Sequence, residues 1–425
     1  MFDRTSLRLF ACLMLVWPAL LAQADESEPV SRQEYESLRA QVQDLREALE
    51  SRQDALPRDE AEATFDYFEE QLFDLDAELG AVRPGTSKFL LAGHTAAGFT
   101  YRQREESTFS ANLAVVLLWQ VDDSILVEAK PVFTLEEPGQ TDVDLHYANA
   151  SWLLNDHVTV GAGQFLTPFA FVNDRLQPPW ISKLPGPPLA FEPEVGLAPE
   201  SSVGAFVRGG VALGATRLNY VVYVSNGPRL VTTGEHAGQL RFDNWRNVNR
   251  SPAVGARVGW LPLPAMEVGY SIKTGRVDPR EFGQRVRATL HGLDLIYAQD
   301  IPALAGTIDL RTKWIFADIG DATYFEPDGT PRPEFNNQRW GGYVQAAYRP
   351  AMVDHGFLRD LEFVYRYDII DLPRNAPGIG DTDRHTWGVN YWIGETALFK
   401  TAFHYAEPSG LPSQRAFFAQ FAVGF

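Results

Sequence analysis

Charged side chains recur at every second position in several segments of the chain, with large apolar residues between them. The clearest examples are Asp309, Arg311 and Lys313 in one segment and Glu362, Arg366 and Asp368 in another. A period of two predicts a β-strand with one charged and one apolar face. A charge facing the middle of a lipid bilayer costs roughly 2–4 kcal/mol. We therefore expect the apolar faces to contact lipid and the charged faces to line a water-filled lumen.

The same alternation identifies the residues that would line this lumen. The predicted basic positions are Lys130, Arg257, Lys273, Arg287, Arg311, Lys313, Arg339, Arg366 and Lys400. The predicted acidic positions are Glu128, Glu267, Asp309, Glu362 and Asp368. The excess of basic residues favours anions, because rings of charge set the selectivity of a pore. Alternatively, these charges pair across neighbouring strands and only brace the wall.

A segment over residues 168–201 is unusually long for a connection and rich in proline. Proline stiffens a chain and needs no backbone N–H partner. We expect this segment to fold into the lumen and narrow it, with Arg175 and Lys183 facing the opening. The alternative is an external loop that packs on its neighbours or at a subunit contact.

The elements that would position these residues are sixteen strands beginning at Lys88. The predicted ranges are 88–101, 109–121, 124–135, 143–154, 157–167, 202–213, 216–226, 252–261, 265–275, 284–298, 305–318, 338–349, 358–371, 384–393, 396–406 and 414–425. Short and long connections alternate along the chain, as in outer-membrane barrels with short periplasmic turns and longer external loops. The fold class is therefore all-β, a 16-stranded antiparallel transmembrane β-barrel. The final strand ends in an aromatic residue, Phe425, which we expect the barrel-assembly machinery to recognise.

Two further segments precede the predicted barrel, which occupies 84–425. Residues 1–24 have the basic start, apolar core and Ala-x-Ala end of a signal peptide. Residues 25–83 carry apolar positions at alternating spacings of three and four, which predicts a periplasmic helical, coiled-coil segment. A single amphipathic helix packed on the barrel mouth is the alternative. This segment has 18 acidic and 6 basic residues, a net −12 of the chain's −18, and the acidic balance argues against nucleic-acid binding.

The chain carries no catalytic signature that we recognise. The only cysteine, Cys12, lies in the predicted signal peptide. There is no Gly-x-Ser-x-Gly elbow, His-Glu-x-x-His motif or P-loop. We predict no enzymatic activity, no catalytic residue, no cofactor and no metal site.

One region resembles a known family. Gly163-Gln164-Phe165-Leu166-Thr167-Pro168-Phe169 is similar to a strand-end motif of the phosphate-selective porin O/P family. The segments 208–214 and 225–227, with Tyr220 between them, resemble that family's next hairpin. The resemblance implies a trimeric sixteen-stranded barrel with an inward third loop. The family's phosphate-specific members carry a dense arginine ladder, whereas the basic residues here are scattered among carboxylates, so general anion passage is expected before phosphate specificity.

The predicted function is that of a porin in the outer membrane of a Gram-negative bacterium, passing small, mainly anionic solutes by diffusion. The alternative is a plugged barrel that serves as a surface receptor or envelope tether. The expected partners are outer-membrane lipid, lipopolysaccharide and two further copies of the chain.

Overall fold

A single closed sheet forms the body of the protein. The structure is a computed structural model that describes residues 88–136, 139–169, 178–192, 195–242, 245–247, 251–278, 285–333, 335–373, 375–378 and 380–425. The predicted signal peptide (1–24), the helical segment (25–83) and Arg175 lie outside the described residues. Among those described, no helix has the length and apolar character needed to cross a membrane.

Sixteen of the eighteen strands in the described part close into a barrel, and every neighbouring pair is antiparallel. In chain order the strands are β1 (Lys88–Arg102), β2 (Thr108–Gln120), β3 (Ile125–Glu136), β4 (Gln140–Asn155), β5 (Val158–Leu166), β6 (Ser201–Leu213), β7 (Thr216–Ser225), β8 (Arg229–Leu230), β9 (Leu240–Arg241), β10 (Ala253–Leu263), β11 (Met266–Arg276), β12 (Arg287–Ile301), β13 (Gly306–Ile319), β14 (Asn337–Arg349), β15 (Leu361–Asp371), β16 (Thr382–Trp392), β17 (Ala397–Pro408) and β18 (Gln414–Gly424). Each barrel strand pairs with the next along the chain, β7 pairs with β10, and β1 closes on β18. The predicted sixteen-stranded barrel is confirmed.

The seam of the barrel joins the two ends of the described sheet. The register runs from His94 opposite Gly424 to Arg102 opposite Ala416. Gly93 and Phe425 then exchange two backbone hydrogen bonds of 2.9 and 3.0 Å. Closure leaves no unpaired strand edge, which is the condition for a sheet to sit in lipid.

The two faces of the wall differ sharply in side-chain type. On β15, Phe363 and Tyr365 are exposed, whereas Glu362, Arg366 and Asp368, which have the opposite parity along the strand, are buried inside the barrel. Outward-facing Phe417 and Phe421 on β18 continue this band. The alternation predicted from sequence is therefore present in the wall.

One predicted strand begins later than expected. The range 358–371 starts at Leu361 because Gly356–Arg359 forms a one-turn helix. His355 caps it, since its Nδ1 accepts from the backbone N–H of Leu358 at 3.4 Å. The loop between β7 and β10 also contains β8 and β9, a two-residue ribbon that the sequence pattern did not predict.

The short turns are closed by local hydrogen bonds. Between β2 and β3, the Asp122 carboxylate accepts from the backbone N–H of Ser124 at 2.7 Å, its hydroxyl at 2.8 Å and the N–H of Ile125 at 2.8 Å. These donors stabilise the charged form and hold the pKa of Asp122 below its ordinary value, with the Ser124 N–H contributing most.

Candidate functional site: the lumen and its inward loop

The connection between β5 and β6 folds into the barrel, as the proline-rich sequence predicted. Trp180 packs with Ala96, Leu398 and Ala422 of the inner wall. A Cβ added at Gly424 would lie 2.5 Å from Trp180 Nε1, so the glycine provides the space that the indole occupies. We refer to residues 178–192 as the inward loop.

A second apolar contact anchors the middle of the inward loop. Leu184 is 2 % exposed and packs with Ala347, Val364 and Ala402. Gly388 again makes room, because a Cβ there would lie 2.5 Å from Leu184 Cδ2. These contacts join the loop to strands β14 to β17.

Two lumenal arginines bind the carbonyl oxygens of the inward loop. Arg366 donates to Gly186 O at 3.1 Å and to Pro187 O at 2.9 Å. Arg384 donates to the same Pro187 oxygen at 2.9 Å. Asp368 accepts from Arg366 Nε at 2.9 Å and from the backbone N–H of Leu189 at 2.9 Å. Arg366 thus holds the loop instead of facing open water.

Lys183 of the inward loop points at wall carboxylates rather than at an opening. Its Nζ lies 2.5 Å from Glu362 Oε1 and 3.8 Å from Asp309 Oδ2. Asn390 donates to the Lys183 carbonyl at 2.9 Å and to Glu362 Oε2 at 2.8 Å. The predicted position of Lys183 in the lumen holds, but its charge is compensated.

Two other predicted lumenal arginines are braced within the wall. Arg257 Nη2 donates to Glu267 Oε1 at 2.9 Å and to Asp294 Oδ1 at 2.8 Å. Arg311 forms a bidentate pair with Asp309 at 2.6 and 2.7 Å. Arg257 thus has the pairing across neighbouring strands that was considered as the alternative, whereas Arg311 pairs with a carboxylate two residues away on its own strand β13.

Lys400 and Arg339 have a different environment. Lys400 Nζ donates to Pro179 O at 2.5 Å and to Ser182 O at 3.2 Å. Arg339 Nε donates to the side-chain oxygen of Asn337 at 2.7 Å. Among the described residues, neither side chain has a carboxylate within 4.0 Å, and both are buried.

The remaining predicted basic positions lie inside the barrel, with one exception. Lys130 is buried on β3, Lys273 donates to Ser202 Oγ at 3.0 Å, and Lys313 donates to Phe169 O at 2.8 Å. Arg287 was placed wrongly: Ala288 next to it is buried inward, so Arg287 is exposed on the outer face. The first residue of β12 faces outward, so the face that the sequence pattern assigned to Arg287 is wrong by one position.

Several inward residues were missed. Asp294 alternates with the outward apolar residues Leu293 and Leu295, and this signal was present in the sequence. Arg384 lies between Asp383 and His385, so no apolar alternation marks it.

Arg208 on β6 and Arg217 on β7 also face inward. Arg208 has the same parity as buried Phe206, and Arg217 has the same parity as buried Tyr223. Both are half-buried near the β6–β7 turn.

A cavity of about 200 Å³ lies between the ends of β4 to β6 on the long-loop side. Asp144, His146, Gln164, Ser202 and Trp245 are among its lining residues. Beside it, the three long loops pack together into an apolar cluster that includes Phe169, Leu197, Leu230 and Tyr324. Leu290 and Ile315 of the wall belong to the same cluster, so the described parts of the long loops pack onto the inner wall.

Solved structures share this architecture. An anion-selective porin from Comamonas acidovorans matches with a TM-score of 0.51 at 10% identity, over 80% of this chain and 100% of the porin. OmpF of Salmonella typhi, in complex with daunomycin, matches with a TM-score of 0.52 at 10% identity, over 80% and 98%. The outer-membrane channel DcaP of Acinetobacter baumannii matches with a TM-score of 0.51 at 10% identity, over 81% and 100%.

The chain has the fold of outer-membrane porins. No protein-family model matches it, and no curated protein does. At these identities the likeness concerns the fold, and the function must be argued from the lumen itself.

Proposed function

We propose that the chain is an outer-membrane porin that passes small solutes through the water-filled part of its lumen. The observation that carries this proposal is the sorting of side chains on a closed barrel, with apolar residues outside and charged residues inside. A barrel of sixteen strands is wide enough to leave an aqueous channel after its wall side chains are placed.

The solute path that we propose follows strands β2 to β7. The inward loop occupies the other side of the lumen, against β14 to β17. Inward residues near the short turns of β2 to β7 are half-exposed, namely Gln120, Glu128, Arg208, Arg217 and Asn219. A cavity of about 200 Å³ lies at the long-loop ends of β4 to β6, on the same side of the barrel.

Anions are the favoured solutes in this proposal. Arg339 is a buried lumenal cation with no carboxylate within 4.0 Å in the described part. Arg208 and Arg217 place further positive charge where water reaches it. Such charges raise the local concentration of anions, and their effect declines as salt screens them.

A plugged barrel is the second candidate, and the packing at the long-loop end favours it. The apolar cluster around Phe169, Leu197 and Tyr324 joins three loops to the wall at this end of the barrel. If this packing blocks every path, the protein would act as a receptor or tether instead of a channel.

Reconstitution of the purified full chain into planar bilayers separates these two functions. A porin gives stepwise increases in current, whereas a plugged barrel inserts without steps. Heat-denatured protein is the control for detergent artefacts. A folded preparation that inserts into vesicles but gives no stepwise current would contradict the porin proposal.

Substitution of the partly exposed lumenal arginines tests the proposed preference for anions. Arg208→Gln with Arg217→Gln should lower the ratio of anion to cation permeability, because both side chains face the lumen. Arg287→Gln with Arg415→Gln is the matched control, since both of those arginines are exposed on the outward face of their strands. Equal loss of selectivity in the two double variants would contradict the assignment.

We propose further that the chain belongs to the phosphate-selective O/P family and that it assembles as a homotrimer. They are supported by the resemblance at 163–169 and by the inward third loop that it implies. Replacing chloride by phosphate in the selectivity measurement tests the first, and light scattering of the detergent-solubilised protein tests the second. Equal permeation by both anions, or a monomeric mass, would contradict them.

A further inference from the structure

The cavity of about 200 Å³ lies where β5 ends and the chain leaves the barrel wall. The pairing of β4 with β5 stops at Ala148 opposite Gln164, whereas β4 continues to Gln140 along β3. The pairing of β5 with β6 stops at Leu166 opposite Ser201. A gap therefore remains between the extension of β4 and the start of β6, and the cavity occupies this gap.

Most of the residues that line this cavity carry a hydrogen-bond acceptor, and one carries a large aromatic ring. Asp144 and Glu200 supply carboxylates, and Ser201 and Ser202 supply hydroxyl groups. Trp245 also lines the cavity, with 66 % of its surface exposed. This combination suits a ligand that carries several hydroxyl groups on an apolar frame, because each hydroxyl both donates and accepts a hydrogen bond.

Gln164 is a buried member of this lining and is only 8 % exposed. Its Nε2 donates to Leu145 O at 2.7 Å and to Ser201 Oγ at 3.3 Å. Both acceptors belong to residues that line the cavity, so the amide group is fixed at the cavity wall. Its Oε1 accepts no hydrogen bond from the described residues. A buried acceptor without a donor is destabilising, and a ligand hydroxyl would supply the donor.

Two lysines of the inner wall balance the charge of the cavity carboxylates. Lys130 is buried on β3, and Glu200 attracts its ammonium group electrostatically. Lys273 Nζ donates to Ser202 Oγ at 3.0 Å, which places a second positive charge beside the cavity. Because these lysines offset the carboxylates of Glu200 and Asp144, a neutral ligand suits the site better than an amine or an anion does.

We propose that this cavity binds one sugar ring of a dissolved, neutral saccharide. The apolar C–H face of a pyranose packs on an indole ring, while its hydroxyl groups bind carboxylate, amide and hydroxyl oxygens. The cavity has the volume of about seven water molecules, which is enough to enclose one sugar ring and too small to enclose two. The inference goes beyond the proposed passage of anions and does not depend on it, because a plugged barrel would also bind the sugar.

Saturation-transfer difference NMR tests binding of glucose, galactose, mannose and N-acetylglucosamine to the full chain. The protein is refolded from inclusion bodies, so that no lipopolysaccharide sugar accompanies it. Micelles of lauryldimethylamine oxide hold it in solution, because this detergent has no sugar headgroup. We expect saturation transfer to at least one of the four sugars, and titration of that sugar gives its dissociation constant.

Three variants locate the bound sugar. Trp245→Ala should bind it roughly tenfold more weakly, which corresponds to about 1.4 kcal/mol, because the stacking ring is lost. Asp144→Asn should bind it roughly fivefold more weakly, because hydrogen bonds to a charged acceptor are stronger than those to a neutral one. Trp152→Ala is the matched control, since Trp152 is 56 % exposed on β4 and does not line the cavity. It should bind the sugar as the wild type does.

Three outcomes would overturn the inference. Absence of saturation transfer to all four sugars would remove the saccharide as the ligand. Equal weakening in Trp245→Ala and Trp152→Ala would remove the cavity as the site. Saturation transfer to tetramethylammonium but to none of the sugars would assign the cavity to cationic solutes. The bilayer recording stays a separate test, because sugar binding without current contradicts only the channel, and current without sugar binding contradicts only this inference.

Discussion

The substitution Leu184→Ala should release the inward loop from the barrel wall. Leu184 is 2 % exposed and is enclosed by Ala347, Val364 and Ala402, with Gly388 leaving room for its Cδ2 atom. When the loop detaches, this side chain moves from an apolar site into the water of the lumen. The substitution therefore weakens the docked state and leaves the detached state almost unchanged.

The size of the effect follows from burial. Truncating a buried leucine to alanine costs about 2–5 kcal/mol, and a site at the edge of a core lies toward the lower end. A cost of about 2–3 kcal/mol raises the detached population roughly 30- to 150-fold, because about 1.4 kcal/mol corresponds to a factor of ten. The matched control is Leu411→Ala, since Leu411 is 54 % exposed in the β17–β18 connection.

The rate at which trypsin cleaves after Lys183 measures the population of molecules in which the inward loop is detached. Docking buries this side chain against Glu362, with 2.5 Å between Nζ and Oε1, so cleavage after Lys183 requires release. Mass spectrometry of that single bond should show a rise of the predicted size for Leu184→Ala and no rise for Leu411→Ala. Cleavage at the wild-type rate in Leu184→Ala would refute the docking of the loop through this residue.

Three further predictions concern the wall and its turns. Arg257→Met should destabilise the barrel by about 3–5 kcal/mol, because it leaves two buried carboxylates uncompensated; an unchanged urea midpoint of unfolding would contradict this. The pKa of Asp122 should lie below its ordinary value near 3.8, because the Ser124 N–H stabilises the charged form. The carboxylate therefore stabilises the turn fully above pH 3.8, and this stabilisation is lost as the pH falls through the lower pKa of the folded state. Isotope-edited infrared titration measures this, and an ordinary pKa would contradict it. Gly424→Ala should displace the tryptophan of the inward loop and shift tryptophan fluorescence to the red, whereas Gly394→Ala, with nothing within 4 Å of the added Cβ, should not; equal spectra would contradict the contact.

The strands were largely predictable because their periodicity is a local property. Alternation between lipid and lumen repeats within each strand, so β13 and β15 could be read with the correct faces from about ten residues. Arg287 was misassigned because it stands at a strand end, where a shift of one residue reverses the face.

The partners of the lumenal charges could not be predicted in the same way. Arg366 and Pro187 are separated by 179 positions in the chain, and no local pattern relates them. The sequence predicted that 168–201 turns inward, but it did not reveal that Arg366, Arg384 and Lys400 bind the carbonyl oxygens of this segment. The carboxylates beside Arg257 likewise become its neighbours only through the register of three strands.

The zero-current potential across a bilayer that separates two concentrations of potassium chloride tests the central claim most directly. If the accessible charge of the lumen is positive, the sign of this potential should correspond to preferential movement of chloride down its gradient. The potential should diminish as the total salt concentration rises, because salt screens the lumenal charges. A potential of the opposite sign, showing preferential potassium movement, would contradict the assignment of Arg208 and Arg217 as the accessible positive charges of the lumen.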